Sequence, residues 1–491
     1  MKKILLSGLL PVLMLVACHK DLTSINVDPK NPLNYPSRAF FTGAQKNMVD
    51  LLTSSNVNTN IFRLIVQYWN ETTYTDEANF DLGTRQIPRQ VWNGLYRDVL
   101  RDLREAKALI PKETMDPTPT VDAVIKKNQL AITEIMEIYA WYYLVTTFGN
   151  VPYTQALDAL KTQPVYDAQK TVYIDLLTRM DAAIAKLDVT GDSFGEADIV
   201  YGGDVAAWKK FANSFKLKMG MTIADDDNAK AKATVEAAVT AGVFASNEDN
   251  AQFQYLAGPP NTNPVWVDLV QSGRKDFVGT NTTINKMKAN TDPRLPWYFT
   301  YDASGSDYSG AVPGASSNYA TFSKPSGPLL VSSSIGAVTN PDFPAILMSY
   351  DEVEFYLAEA VERGYVVGGT ALTHYNNAVT ASIVWWGGTS AQAIAHLAKP
   401  AVNYLTATGT YKQKIGEQKW LALYDRGWEA WTEWRRLDFP ALVKPPTAQS
   451  NIPLRLTYTV PEQNLNNANY VAAAAAIGGD LVTTKLFWDK F

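Results

Sequence analysis

The 491-residue chain has little cysteine and little histidine. Its one cysteine, Cys18, excludes an intramolecular disulfide and a thiolate metal cluster. His19, His374 and His396 are too few and too scattered to predict a metal site, and we expect no cofactor. Neither a Gly-x-Ser-x-Gly elbow nor a phosphate-binding loop is present. A net charge of −5 excludes the basic surface that nucleic-acid binding requires.

Long apolar runs are also missing, apart from residues 4–16 near the N-terminus. That run is too short to span a bilayer and follows the basic pair Lys2 and Lys3, which is typical of a signal peptide. The sequence LVAC at residues 15–18 reads as a lipobox, so we predict a signal peptide over residues 1–17 and lipidation of Cys18. A lipidated tether is expected over residues 18–36, with the remaining body anchored to a membrane.

Aromatic residues are abundant, with 13 Trp, 25 Tyr and 18 Phe. Residues 412–440 show the densest pattern, because their large side chains recur at three- and four-residue steps and predict one amphipathic helix. The apolar stripe comprises Trp420, Leu423, Tyr424, Gly427, Trp428, Trp431 and Trp434. The polar positions expected to face water are Gln418, Lys419, Arg426, Glu429, Glu433 and Arg436. We interpret this helix as part of the core rather than as a ligand platform.

Further helical periods predict a mainly α fold. The predicted helices are residues 38–52, 60–69, 92–110, 127–148, 172–187, 205–224, 228–241, 349–363 and 372–386. We expect one domain over residues 37–491, consisting of a helical scaffold at about 37–249 and 345–440 and a loop-rich insertion at about 250–344. The tail after residue 453 is predicted to mix short extended pieces with an alanine run. Paired helices in two blocks favour tetratricopeptide-like packing.

Six short motifs occur in order along the chain and, together with the lipobox, resemble the SusD/RagB family of outer-membrane nutrient-binding lipoproteins. They are INVDPKNP (25–32), GNVPYT (149–154), DVAAWKKFANSFKLK (204–218), DPRLP (292–296), the helix at 348–364 and the tryptophan-rich segment at 418–440. Phe215 stands where the family usually has leucine, a change that a core tolerates.

This resemblance implies a function as well as a fold. The expected fold is mainly α, with tetratricopeptide-like helix pairs and a loop-rich ligand-binding face. The expected partner is a SusC-type TonB-dependent transporter in the outer membrane. The lipoprotein would face the outside of the cell, capture an oligosaccharide or a peptide and deliver it to the transporter, and no catalysis is implied.

Two stretches combine aromatic and polar residues without a helical stripe, as a sugar-binding surface requires. The candidates in the first loop (residues 69–86) are Trp69, Tyr74, Asp76, Asn79, Phe80 and Arg85. Those in the second loop (residues 297–322) are Trp297, Tyr298, Tyr301, Tyr308, Asn318 and Tyr319. For each of these residues, packing of the loop against the body is the alternative, and Trp297 in particular follows Pro296 and would also serve as a loop anchor.

The residues leave four functions open. A glycan-binding lipoprotein is favoured by the aromatic loops, and a peptide-binding one uses the same fold. An exported helical glycoside hydrolase would also be rich in tryptophan, and acid pairs such as Asp76 with Glu77 would supply its chemistry. A tetratricopeptide scaffold that binds only its partner protein is the fourth.

Overall fold

A computed structural model describes residues 35–325 and 340–491 of the chain. The predicted signal peptide (1–17), the lipidation site Cys18, the motif at 25–32 and most of the tether therefore lie outside the described residues. The same is true of residues 326–339 within the predicted insertion. In the described ranges, no helix is long and apolar enough to cross a membrane.

The prediction of a mainly helical protein is confirmed. The first nine helices are α1 (Ser37–Thr53), α2 (Phe62–Ile65), α3 (Ile87–Asn93), α4 (Arg101–Leu109), α5 (Pro119–Phe148), α6 (Gln169–Lys186), α7 (Val205–Thr222), α8 (Asn228–Ala241) and α9 (Pro264–Trp266). The others are α10 (Asn281–Ala289), α11 (Leu295–Tyr298), α12 (Tyr350–Glu362), α13 (Ala371–Trp385), α14 (Ser390–Leu397), α15 (Tyr411–Ala422), α16 (Gly427–Leu437), α17 (Val460–Leu465) and α18 (Asn467–Ala476). The π-helical segment Gly94–Leu100 joins α3 to α4.

Most long helices pack against a neighbour in sequence. These pairs are α5 with α6, α7 with α8, α12 with α13 and α15 with α16. Capping residues set several of the ends. The Asp204 carboxylate accepts hydrogen bonds from the backbone N–H groups of Ala206 and Ala207 and so caps the N-terminus of α7. Gly149 ends α5 with a φ of +87°, a conformation that favours glycine.

Two small antiparallel sheets attach the irregular middle of the chain to the helices. Strand β1 (Trp69–Glu71) pairs with β3 (Phe277–Gly279), with Asn70 opposite Val278. Strand β2 (Ala251–Phe253) pairs with β4 (Ala345–Met348). Because each sheet combines one strand near the helical body with one in or beside residues 250–344, the two sheets fix where this segment leaves and rejoins the body.

Three predictions about helices are wrong. Residues 60–69 form only the short α2 before β1 begins. The tail contains the helices α17 and α18, and the alanine run belongs to α18. The tryptophan-rich segment is two helices, α15 and α16, because Gly427 starts a new helix against α2. A Cβ at Gly427 would lie 2.5 Å from the backbone N of Arg63, so only glycine permits this approach.

The prediction that the polar side chains of this segment face water is also wrong. Lys419, Glu433 and Arg436 are all buried, because other parts of the protein also cover the polar faces of α15 and α16 at these positions. Gln418 and Glu429 are buried as well, and Arg426 is half-buried. Lys419 Nζ lies 2.8 Å from Glu433 Oε2, and Arg436 Nη2 lies 2.8 Å from the same atom. Opposite charges therefore compensate one another inside the protein, as buried charges require.

Glu352 on α12 is the second centre of this buried charge network. Its carboxylate lies 2.8 Å from Arg426 Nη1 and 3.2 Å from Lys218 Nζ. Burial tends to raise the pKa of Glu352, but Arg426 and then Lys218 outweigh burial and lower that pKa to about 2. Burial lowers the pKa of Lys218 to about 8 even though Glu352 opposes the change. The charges hold α7, α12 and the segment between α15 and α16 in one arrangement.

Candidate functional site

Hydrogen bonds join the first loop directly to the second loop. Asn70 Nδ2 donates to Ala315 O at 2.8 Å, and Gly314 N donates back to Asn70 Oδ1 at 2.7 Å. Asn79 Nδ2 donates to Gly314 O at 2.8 Å. Both asparagine side chains are buried, so they act as clamps between the loops. The two stretches proposed separately from the sequence therefore form one continuous face of the protein.

Trp69 does not lie on that face, and the expectation that it is exposed is wrong. Its side chain is 2% exposed, because β1 places it in the core. The indole Nε1 donates to the hydroxyl of Tyr424 at 2.8 Å, and the ring centroid lies 5.6 Å from that of Phe277. The Arg63 guanidinium lies 5.0 Å over the ring. Trp69 positions the start of the first loop.

Asn79 and Phe80 are likewise buried, which corrects their expected exposure. Asn79 Nδ2 also donates to Thr75 O at 2.8 Å, and its Oδ1 accepts from Thr447 Oγ1 at 2.7 Å. With the Gly314 contact, these bonds occupy the whole amide group of Asn79. Phe80 packs into the core with a φ of +66°. Both residues support the loop from below.

Of the first loop's candidates, three remain at the surface. Tyr74 is 74% exposed, and Asp76 is exposed beside it in the chain. Arg85 is exposed too, and its Nε forms an ion pair with the buried carboxylate of Glu77. These side chains provide an aromatic ring, a carboxylate and a guanidinium that a ligand can reach.

In the second loop, Tyr298 is fully buried, which again corrects the expectation. Its ring stacks on Tyr424 with centroids 4.1 Å apart and an interplanar angle of 7°, and its hydroxyl donates to Leu421 O at 2.7 Å. Trp297 is half-buried, and its indole lies over Gly387, where a Cβ would approach the ring to 2.7 Å. Trp297 therefore has the contacts of a loop anchor, with one part of the ring left accessible.

The remaining tyrosines of the second loop are accessible. The rings of Tyr301 and Tyr308 lie side by side, with centroids 4.8 Å apart and an interplanar angle of 44°. Tyr301 is exposed, while Tyr308 and Tyr319 are half-buried. Burial raises the pKa of Tyr308, and the neighbouring Tyr301 adds to this effect. The Tyr308 hydroxyl is therefore a neutral hydrogen-bonding group at physiological pH.

Main-chain hydrogen bonds shape this part of the second loop into a hairpin, which we call the tyrosine hairpin (residues 299–325). Thr300 N donates to Lys324 O at 3.0 Å, and Ala303 N donates to Thr321 O at 3.1 Å. A further bond from Gly279 N to Ser323 O, 2.8 Å long, fixes the hairpin to the end of β3. The hairpin thus has a defined position on the body.

Sequence reasoning missed two lysines on this face. Lys288 Nζ donates to Asp307 Oδ2 and to Tyr308 O, both at 2.8 Å, although Lys288 lies on α10. Lys324 Nζ lies 5.3 Å from the ring centroid of Tyr319. Burial lowers the pKa of Lys324, and Asp302 opposes that effect. No local sequence pattern links these lysines to the tyrosines, so folding alone brings them together.

The face thus contains accessible tyrosine rings surrounded by hydrogen-bond donors and acceptors. Such a surface suits sugars, whose C–H faces pack on aromatic rings while their hydroxyls bond to polar groups. Asn318, which is exposed on the second loop, adds an amide to the set. Among the described residues, no three His, Cys, Asp or Glu side chains are grouped so that they could hold a metal ion.

A match to a protein-family profile identifies the family of this chain. The profile of SusD-like proteins, described as starch-binding and associating with the outer membrane, matches residues 29–459. This chain belongs to the SusD-like family. The match covers most of the chain, so the resemblance seen in the short motifs is confirmed. No curated protein matches the chain by sequence.

Solved structures of SusD-like proteins share the fold. A structure titled as a chitin-binding protein is 26% identical, with a TM-score of 0.77 over 93% of this chain and 100% of the other. A chitin-binding SusD homologue from Flavobacterium johnsoniae is 23% identical, with a TM-score of 0.77 over 92% and 98%. A SusD homologue from Bacteroides uniformis is 24% identical, with a TM-score of 0.75 over 92% and 99%. The prediction of tetratricopeptide-like helix pairs is thereby confirmed.

Proposed function

We propose that this protein is a surface-exposed lipoprotein that binds oligosaccharides and delivers them to a SusC-type TonB-dependent transporter. Membership of a family described as starch-binding and associating with the outer membrane supports binding and location. The lipobox ending at Cys18 supports a lipid anchor on the outer membrane. The proposal includes no catalysis, so the ligand leaves unchanged.

The observation that carries the glycan assignment is the pair of accessible rings at Tyr301 and Tyr308, held on a hairpin that is fixed to the body. Two adjacent rings present an extended apolar surface to successive sugars of a chain. Tyr319, Asn318 and Lys324 lie on the same hairpin and add polar groups for sugar hydroxyls. A structure of similar fold titled as a chitin-binding protein makes chitin oligosaccharides the first ligands to test.

Calorimetric titration of the soluble chain from residue 19 onwards tests this proposal. The ligands are chitin oligosaccharides, malto-oligosaccharides and short peptides. We expect saturable binding of one glycan class, and the Tyr301→Ala/Tyr308→Ala double variant weakens it by about 5- to 150-fold. This range follows from about 0.5–1.5 kcal/mol for each aromatic contact, with 1.4 kcal/mol per tenfold change in Kd.

Tyr35→Ala is the matched control, because Tyr35 is exposed but lies outside both loops. This variant leaves the affinity unchanged if the tyrosine hairpin is the binding surface. Binding of peptides alone would refute the glycan assignment, and release of shorter sugars during the titration would show that the protein is a hydrolase. Glycan binding that survives the double variant would keep the function and exclude the tyrosine pair.

Delivery to a transporter needs a separate experiment. The full-length lipoprotein is co-expressed with a SusC-type TonB-dependent transporter from the same organism, and the membranes are solubilised. We expect the two proteins to purify together, and a Cys18→Ala variant to lose outer-membrane attachment without losing its ligand affinity. Failure to co-purify in the presence and absence of ligand would contradict the delivery role and leave binding as the function.

A further inference from the structure

A groove away from the tyrosine hairpin lies beside the first turn of α1 and has a volume of about 760 Å³. This volume falls within the range of about 300–1,000 Å³ typical of small-molecule sites. None of its lining residues belongs to the first or the second loop. They are Pro36, Ser37, Arg38, Glu113, Thr114, Met115, Asp116, Ile125, Gln129, Asp192, Ser193, Phe194, Gly195, Gly202 and Gly203.

The apolar part of the groove is rigid. Ile125 on α5 and Phe194 are both buried and contribute hydrocarbon surface to the lining. The ring of Phe194 stacks on Phe41 of α1, with centroids 3.9 Å apart and an interplanar angle of 3°. A ligand would therefore meet a fixed apolar surface whose side chains are already ordered.

Gln129 adds an unused acceptor to this surface. Its side chain is 4% exposed, and its Nε2 donates to Ser193 O at 3.1 Å. Ser193 is held in turn by a 2.8 Å bond from its Oγ to Gly203 O. Gln129 Oε1, in contrast, accepts no hydrogen bond from the described part of the chain. Because leaving a buried acceptor unpaired costs about 1–3 kcal/mol, a ligand that donates a hydrogen bond here is favoured.

The charged residues of the lining are mostly acidic. The lining contains three acidic residues, Glu113, Asp116 and Asp192, and one basic residue, Arg38. Glu113 already accepts hydrogen bonds from Ser37 N and Oγ, at 2.7 and 2.6 Å. Asp116 Oδ1 accepts from Thr118 N at 2.7 Å, so its other oxygen and the carboxylate of the exposed Asp192 keep acceptor capacity. The resulting negative field opposes anionic ligands and favours ligands with hydroxyl or ammonium groups.

We propose that this groove is a second binding site, for a short amino-sugar chain with free ammonium groups. The sugar's C–H face packs on Ile125 and Phe194, a hydroxyl or ammonium donates to Gln129 Oε1, and the acids balance the ligand's positive charge. The site is separate from the tyrosine hairpin, so the protein holds two glycan segments of different charge at once. This inference goes beyond the transport role and does not depend on it.

Calorimetry on the full-length protein in detergent tests the proposal with a trimer of glucosamine, against a trimer of glucose. The protein carries the Tyr301→Ala/Tyr308→Ala changes, so that the tyrosine hairpin does not contribute. At about pH 6, where sugar amines are protonated, we expect the glucosamine trimer to bind and the glucose trimer to bind at least tenfold more weakly. Equal affinity for both trimers, or no binding of either, would overturn the assignment.

Three variants locate the binding. Thr114→Trp fills the groove from an exposed position and abolishes binding, while Lys112→Trp, an exposed neighbour outside the lining, leaves it unchanged. Gln129→Met keeps the volume, removes the acceptor and weakens binding about tenfold. Binding that survives Thr114→Trp refutes the proposal. Binding that is seen only in a shortened protein lacking residues 1–34, and not in the full-length protein, refutes it as well. Unchanged melting of Thr114→Trp shows that its loss of binding is local.

Discussion

Replacing Asn79 with alanine tests whether its side-chain hydrogen bonds hold the first loop against the second loop. The change removes the bonds to Gly314 O and Thr75 O and the bond accepted from Thr447 Oγ1. Gly314 O, which is buried, then lacks a partner at a cost of about 1–3 kcal/mol, while the exposed Thr447 hydroxyl exchanges its bond for one to water at about 0.5–1.5 kcal/mol. With partial relaxation, we expect the free energy of unfolding to fall by about 2–4 kcal/mol. The body keeps its fold, because the clamp lies at the edge of the core.

Urea denaturation measures this loss, and hydrogen exchange locates it. We expect faster exchange at Gly314 and Ser317, whose amides bond to the first loop, and no change in α12. Asn318→Ala is the control, because within residues 35–325 and 340–491 the Asn318 side chain accepts only a local bond from Ala320 N, and its loss changes stability by less than about 0.5 kcal/mol. A loss below about 0.5 kcal/mol in Asn79→Ala, with unchanged exchange, would refute the clamp.

Three further predictions concern the body. Trp69→Ala lowers the free energy of unfolding by about 3–5 kcal/mol in urea denaturation, since Trp69 is a core residue, and a smaller loss would contradict its burial. Gly427→Ala lowers it by about 1–3 kcal/mol, because the new Cβ meets the backbone of Arg63, and unchanged stability would show that the helices separate easily. Glu352 has a pKa of about 2 against an ordinary 4.5, so its contribution of about 3 kcal/mol is complete above pH 4.5 and is lost as the pH falls towards 2. Glu352→Gln flattens this part of the stability–pH curve, and an unchanged curve would exclude the ion pair with Arg426.

Helix periodicity predicted most of the long helices, because an amphipathic pattern reports one buried face. It failed for α15 and α16, where polar positions such as Lys419 and Arg436 are buried and their side chains form ion pairs with residues of other helices. A helical-wheel projection of one segment cannot show such partners, because Glu359 on α12, which pairs with Arg436, is far from Arg436 in the chain. Nor could it show the break at Gly427, which depends on the approach of α2.

For the site, composition located the two loops but could not rank their residues. Tyr298 and Tyr301 are three residues apart and look equivalent in sequence, yet one stacks on Tyr424 in the core and the other is exposed. The difference arises because α11 ends at Tyr298 and the chain then turns outward into the tyrosine hairpin. Likewise, the clamp made by Asn70 and Asn79 depends on contacts across more than 230 residues of chain.

Backbone hydrogen bonds pair the two arms of the tyrosine hairpin, at Thr300 with Lys324 and at Ala303 with Thr321. Another backbone bond, between Gly279 and Ser323, attaches the hairpin to the body. Main-chain bonds of this kind do not depend on which side chains the residues carry. Mutation can therefore exchange the outward-facing residues one at a time while the hairpin stays in place. Substitutions at these surface positions therefore alter the chemistry of the exposed face while the folded hairpin that carries it is retained.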